Sequence, residues 1–315
     1  MNVIVKGIGS VGTRDGDLRA DTAHICQYIP PKKLRRTDHF TQLALLAACY
    51  AIEDAGFKLN EFKGENIGVI LATGHGAMNT TYAFKDSINS RGDSFSSPTL
   101  FSKSVHNAAM SNLTIQLGLT GPNLTISQHS FSFQSALLTA CLWINEGSCE
   151  YVMVGGVDEF SETLGYCIER FNDEKKSVLD YNNAYTKKTA PGEGASFFIL
   201  SKSDFTGKKE KMKHPGFISD LVMGNLTSNH LPIEIDTHLI IDGDSNRIKN
   251  WIQRDQIKNK IHYLEKPYGD FFTNPGFDLI AAFSQLEGYG NITLIYIEEE
   301  GQFVLIKLKR IRDFR

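Results

Sequence analysis

Residues able to do chemistry converge on one junction, Gln128-His129-Ser130. There a short alternating segment, Asn123 to Ser127, meets an apolar, small-residue run, Phe131 to Ile144. A side chain at such a strand-to-helix turn lies where the first backbone N–H groups of the helix favour an anion. Ser130 is the candidate nucleophile, and its hydroxyl needs a base to take its proton. His129 adjoins it, but neighbouring side chains at a tight turn point apart. His106, in SVHN, is a second imidazole that could approach. Each has a plainer reading: Ser130 as a small turn residue, and His75 and His106 as structural polar groups. Asp242 and Asp270, in IDGDS and KPYGD, read equally as turn or cap residues.

The elements that must hold this junction are legible around it. Gly121 to Glu159 reads as a strand–helix–strand unit: Asn123 to Ser127, Phe131 to Ile144 stopped by Gly147, and Tyr151 to Val154 running into Gly155-Gly156. Apolar strands joined by a helix imply a parallel sheet covered on both faces. Upstream, Val3 to Val5 is a strand followed by a glycine turn at Gly7 to Gly9. Thr37-Asp38 caps a small-residue helix, Phe40 to Ala55, ended by Gly56. A strand at Ile67 to Ala72, a polar loop at Ser90 to Ser97 and one helix from Phe101 to Leu117 lead into the unit. Downstream come a strand after Gly192 to Ala195, a lysine-rich crossover from Lys202 to Lys213, and strands at Phe217 to Met223, Thr237 to Ile241 and Ile261 to Leu264. Helices at Asn246 to Lys258 and Pro275 to Leu286 and a hairpin from Asn291 to Leu308 complete the chain.

Composition narrows the function classes. The chain has 315 residues, 41% hydrophobic and 22% charged, enough for a large core, with a net charge of -3. No basic run suits a nucleic-acid surface; Lys32, Lys33, Arg35 and Arg36 form a solvated patch or a protein-docking spot. No apolar run reaches the roughly 18 residues needed to span a bilayer. The N-terminus reads as a strand, not a signal peptide. Five cysteines without CxxC spacing suit reduced, mostly buried thiols in a cytoplasmic protein. Nothing suggests a metal or a cofactor.

The series Gly121-Pro122, strand, elbow, helix, Gly147 and VMVGG resembles the active-site unit of the β-ketoacyl synthases. RRTDHF before a small-residue helix and GEGASFFILSK, Gly192 to Lys202, resemble two further segments of that family. The resemblance covers the first half strongly and the second in outline. It implies an α/β thiolase-like fold: two duplicated halves in a five-layer αβαβα arrangement, 1–202 and a shortened 203–315. It puts Ser130 where the family carries its cysteine, and Asp242 and Asp270 where it carries two histidines. EEEGQF stands in place of the family's terminal GFGG loop. The helix holding His106 and Met110 would lie at the dimer interface beside an acyl tunnel, with Phe133 lining that tunnel or packing in the core.

These replacements oppose condensation. The reaction needs a thiolate to accept the acyl chain and two imidazoles to donate to the thioester carbonyl as negative charge builds. A carboxylate about 4 Å from that charge costs roughly 4 kcal/mol at an effective dielectric near 20, about a thousandfold in rate. The resemblance therefore implies a non-condensing, chain-length-factor-like subunit, similar to compact proteins of aryl-polyene and flexirubin type clusters. Its partners would be an active ketosynthase, in a heterodimer, and an acyl carrier protein, with a homodimer in isolation. The alternatives are an acyltransferase or thioester hydrolase using Ser130, and a binder of acyl chains or carrier protein.

Overall fold

The computed structural model describes residues 1–13, 17–167, 170, 191–202, 213–214, 216–226, 237–242, 261–263, 268–298 and 301–311. The strands are β1 (Val3–Gly12), β2 (Ile67–Thr73), β3 (Asn123–Ser127), β4 (Tyr151–Asp158), β5 (Gly194–Lys202), β6 (Gly216–Asn225), β7 (His238–Asp242), β8 (Ile261–Tyr263), β9 (Asn291–Ile297) and β10 (Gln302–Arg310). The helices are α1 (Pro31–Leu34), α2 (His39–Asp54), α3 (Met78–Arg91), α4 (Pro98–Ser104), α5 (Ala108–Leu117), α6 (Ser132–Glu146) and α7 (Pro275–Tyr289).

All ten strands share one sheet, in the order β3-β2-β4-β5-β1-β6-β10-β9-β7-β8. The order contains a duplication. In the first five strands, β2 is parallel to β3 and β4, while β5 is antiparallel to β4 and β1. In the last five, β7 is parallel to β8 and β9, while β10 is antiparallel to β9 and β6. The two sets meet back to back through a short antiparallel contact, Val3 with Ile218 and Ile4 with Phe217.

Two cores follow from this arrangement. On the outer face of the first half, α2 and α5 pack on Val69, Leu71, Met153, Phe197 and Ile199. The central core holds α6 and α7 together with residues of both halves, among them Val152, Phe198, Ile218, Leu294 and Ile306. A small third cluster, Leu239, Ile295, Phe303 and Leu305, lies in the second half. Among the described residues, helices thus cover the outer face of the first half and fill the central core shared by both halves. The helix expected at Asn246 to Lys258 and most of the lysine-rich crossover lie outside the described residues.

Three local expectations need correction. Gly7 and Gly9 do not make a turn; β1 runs through them. They are glycines because α2 lies directly on the strand: a Cβ at Gly7 or Gly9 would sit 2.2 Å from the Ala51 or Ala47 carbonyl oxygen. The helix expected from Phe101 to Leu117 is two helices. Ser97 caps α4, its side chain accepting from the Leu100 N–H, and Val105 is extended before α5 begins at Ala108. Strand β4 does not stop at Val154 but continues to Asp158, because Phe197 packs over Gly155 and Thr273 over Gly156. That extension carries an acidic pair, Asp158 and Glu159, to the site.

Candidate active-site cavity

The junction forms as a nucleophile elbow. Strand β3 ends at Ser127, a short 3-10 turn spans His129–Phe131, and α6 starts at Ser132. His129 has φ 55°, the one non-glycine residue with positive φ among the described residues. A side chain tolerates that region only under local constraint. The constraint is Ser132, fully buried, whose hydroxyl donates to the His129 carbonyl at 2.8 Å and accepts from the Gln128 N–H at 2.9 Å. The staple turns Ser130 into a cavity of about 380 Å³. Among the described residues nothing hydrogen-bonds the Ser130 hydroxyl.

The cavity walls come from both halves. Ser130, Phe131 and Gln134 enter from the elbow and α6, and His75 from the loop after β2. Asp158, Glu159 and Phe160 come from the end of β4, Asp270 and Phe272 from the loop before α7, and Ile297 and Glu298 from the end of β9. Asp158 ties these pieces together. Its Oδ1 accepts from the Thr73 hydroxyl (2.9 Å), the Gly74 N–H (2.8 Å) and the His75 N–H (3.4 Å), and its Oδ2 accepts from the Thr273 N–H (2.9 Å). Burial pushes the Asp158 carboxyl up from its ordinary range, against the pull of those donors. Glu159 accepts from the Asn79 N–H at 2.8 Å, and burial pushes it up as well. Glu193, fully buried, accepts from the Ala20 N–H, from His39 Nε2 at 2.6 Å and from the Phe160 N–H. It thereby fastens the wall that carries Phe160.

His75 is packed edge-on between rings, 5.0 Å from His129 and 4.9 Å from Phe272. Burial lowers its pKa, the charge of Asp158 pulls the other way, and His129 and His106 lower it further. It is accordingly a neutral imidazole at pH 7. Among the described residues the lining thus combines one neutral imidazole with four carboxyl groups, with no lysine or arginine.

Ser130 and Asp270, far apart in sequence, line the same cavity. Asp242 ends β7, and its side chain lies outside the described residues. His106 is exposed, its ring beside Gly76. Met110 is buried in the outer core with α2, and Phe133 in the central core, 5.8 Å from Phe198. Neither is among the residues lining the cavity, because both point to the packed side of their helices. Sequence reasoning missed His75, Gln134, Asp158, Glu159 and Glu298 as lining residues. The acidic pair had a readable signal, since it follows the carboxyl end of a parallel strand, where α/β sheets place their ligands. Among the described residues no three His, Cys, Asp or Glu side chains are grouped to hold a metal ion, and no helix is long and apolar enough to cross a membrane.

Comparison with known proteins agrees with this architecture. Residues 12–203 match the family described as "Beta-ketoacyl synthase, N-terminal domain". The chain is 30% identical over 183 residues to 3-oxoacyl-[acyl-carrier-protein] synthase 2 of Vibrio cholerae, and 25% identical over 185 residues to the protein of that name in Coxiella burnetii. Each alignment covers 56% of this chain, and the chain spans 44% and 45% of the two relatives' lengths. Among solved structures, the ishigamide ketosynthase/chain length factor superposes with a TM-score of 0.71 at 14% identity, covering 99% of this chain and 100% of that one. A β-ketoacyl synthase from Burkholderia phymatum gives 0.74 at 13% identity over 99% and 100% of the two chains. A type II polyketide synthase acyl-carrier protein in complex with its ketosynthase gives 0.72 at 16%, over 98% and 99%. These likenesses establish the thiolase-like ketosynthase fold over both halves. With the family match running from the end of β1 through the elbow to the end of β5, the chain belongs to the β-ketoacyl synthase family.

Proposed function

We propose that this chain is a non-condensing ketosynthase homologue, a chain-length-factor-like subunit that pairs with an active ketosynthase in fatty acid, polyketide or polyene biosynthesis. The observation that carries the reading is the cavity lining. A serine stands at the elbow, and Asp158, Glu159, Asp270 and Glu298 surround the space where a condensing enzyme must stabilise an enolate. The two halves, 1–202 and 203–315, act as one unit that closes this cavity. The partner ketosynthase docks along β3, the terminal strand of the sheet, where Leu124 is 40% exposed and Ile115 of the neighbouring α5 is 77% exposed. In isolation a homodimer forms through the same edge. An acyl carrier protein meets the groove lined by Arg36, Lys103, Phe101 and Val105, next to the exposed Lys32, Lys33 and Arg35. The complex works in the cytoplasm. Co-expression with a ketosynthase encoded beside it tests the pairing: a one-to-one complex on size exclusion supports it, and failure to associate with any such ketosynthase removes it.

One observation favours a second reading. His75, held neutral, shares the cavity with Ser130 and could take its proton, making an acyltransferase or thioester hydrolase. Incubation with acyl thioesters then gives an acyl mass adduct on Ser130 that Ser130→Ala abolishes. An unmodified protein excludes the serine mechanism.

A further inference from the structure

His75 lies in a seat shaped for rings. It follows β2 in the loop Thr73-Gly74-His75-Gly76, and aromatic side chains press on both flanking glycines. A Cβ at Gly74 would lie 2.5 Å from Phe272, and one at Gly76, φ 72°, would lie 3.0 Å from the His106 ring. The His75 ring meets His129 of the elbow at 5.0 Å and Phe272 of the second half at 4.9 Å, and those two meet each other at 5.4 Å. One contact thus joins the loop after β2, the positive-φ elbow residue and the segment before α7. His75 and Phe272 both line the cavity that holds Ser130.

A proton on His75 has no partner in this arrangement. Its backbone N–H donates to Asp158, but among the described residues nothing hydrogen-bonds or ion-pairs with its ring nitrogens. Asp158, the carboxylate that draws the charge, is occupied by the Thr73 hydroxyl and the Gly74, His75 and Thr273 N–H groups. The other titratable groups around the ring are His129, His106, Glu159, Asp270 and Glu298. Burial lowers the pKa of His75 most, ahead of the pull of Asp158, and the two neighbouring imidazoles lower it further. A charged imidazole finds its donors satisfied by turning out to water, and glycine on either side leaves the loop free to turn.

We propose that the three-ring contact is a proton-released latch: when His75 takes up a proton it turns out to solvent, releases Phe272 and the elbow, and opens the cavity. The open loop holds an imidazole with the ordinary pKa of about 6.5, and the closed one binds a proton more weakly, so the open state gains on the closed as pH falls below about 6.5. The latch goes beyond the subunit role proposed above and does not depend on it.

Hydrogen–deuterium exchange of the full chain tests it, read by mass spectrometry at about pH 7.5 and about pH 5.5 with labelling times scaled to the intrinsic rates. The reporters are the Gly74, Gln128 and Thr273 N–H groups, each hydrogen-bonded inside the site. In acid they lose protection by about threefold or more, while α2 keeps its own. In His75→Phe, which keeps a ring in the seat and takes up no proton, that loss disappears. His75→Gln is the second non-titrating variant, and either one decides when its α2 protection matches the parent's. Asp158 and Glu159 remain in both, so a loss that persists in them belongs to the carboxyls and overturns the latch. So does a parent whose three amides exchange alike at both pH values, or whose α2 loses protection in step with them. Pairing with a ketosynthase is read separately by co-expression, so either proposal can fail without the other.

Discussion

Replacing Asp158 tests whether one carboxylate holds the cavity together. It accepts three hydrogen bonds of 2.8–2.9 Å and a longer one of 3.4 Å, from the loop after β2 and from Thr273 of the second half. Asp158→Ala strands the Gly74 and Thr273 N–H groups without an acceptor in a buried setting, while the Thr73 hydroxyl can turn elsewhere. At about 1–3 kcal/mol for each stranded donor the gross loss is about 2–6 kcal/mol. Removing a buried carboxyl that pays its own desolvation offsets part of it, leaving about 3 kcal/mol. Asp158→Asn keeps Oδ1 for three donors but turns an NH₂ group toward the Thr273 N–H, so it costs less, about 1–2 kcal/mol. Urea denaturation followed by far-UV circular dichroism measures both. An Ala variant within about 0.5 kcal/mol of the parent, or an Asn variant less stable than the Ala variant, refutes the reasoning.

Burial pushes the Asp54 carboxyl up, but hydrogen bonds from His214, Lys213 and the Ile8 N–H outweigh it and lower the pKa to about 2 from 3.8. A depressed carboxyl stabilises the fold above its unfolded value and loses that contribution as pH falls through about 2. After allowance for solvent screening around the exposed lysine, Asp54→Asn costs about 1 kcal/mol at pH 6 and flattens stability between about pH 4 and pH 2, as read by urea midpoints. Ser130→Cys creates a thiol that iodoacetamide labels at the cavity yet yields no condensation, because the carboxylates remain; equal turnover to a competent ketosynthase would contradict this. Adding Asp270→His to Ser130→Cys removes one repulsion and raises any measurable malonyl decarboxylation by up to about a thousandfold, followed as released carbon dioxide.

The first half was legible because its signals are local. Asp38 caps α2 by accepting from the Thr41 N–H, as its position before a small-residue helix implied. The elbow and Gly147 as the stop of α6 lie where periodicity and glycine put them, and β5 begins within the GEGA segment that the family resemblance pointed to. The failures have physical causes. Glycines in β1 signalled the close approach of α2 rather than a turn, which only the packed neighbour reveals. The break between α4 and α5 has no proline or glycine, only an extended Val105. The cavity was half legible. Ser130 and Asp270 were found from motif positions, and Gln134 follows Ser130 by four residues, whereas His75 and Glu298 reach the cavity from loops distant in sequence from the elbow. Met110 and Phe133 carry the side chains of a tunnel wall and of a core alike, and the side of the helix they occupy decides between them.

Carbon–carbon bond formation by the purified chain is the most direct measurement. Incubated alone with acyl- and malonyl-loaded carrier protein, it yields no elongated chain by intact-protein mass spectrometry, and elongation starts only when a catalytically complete ketosynthase partner is added. An elongated product from the chain by itself contradicts the account.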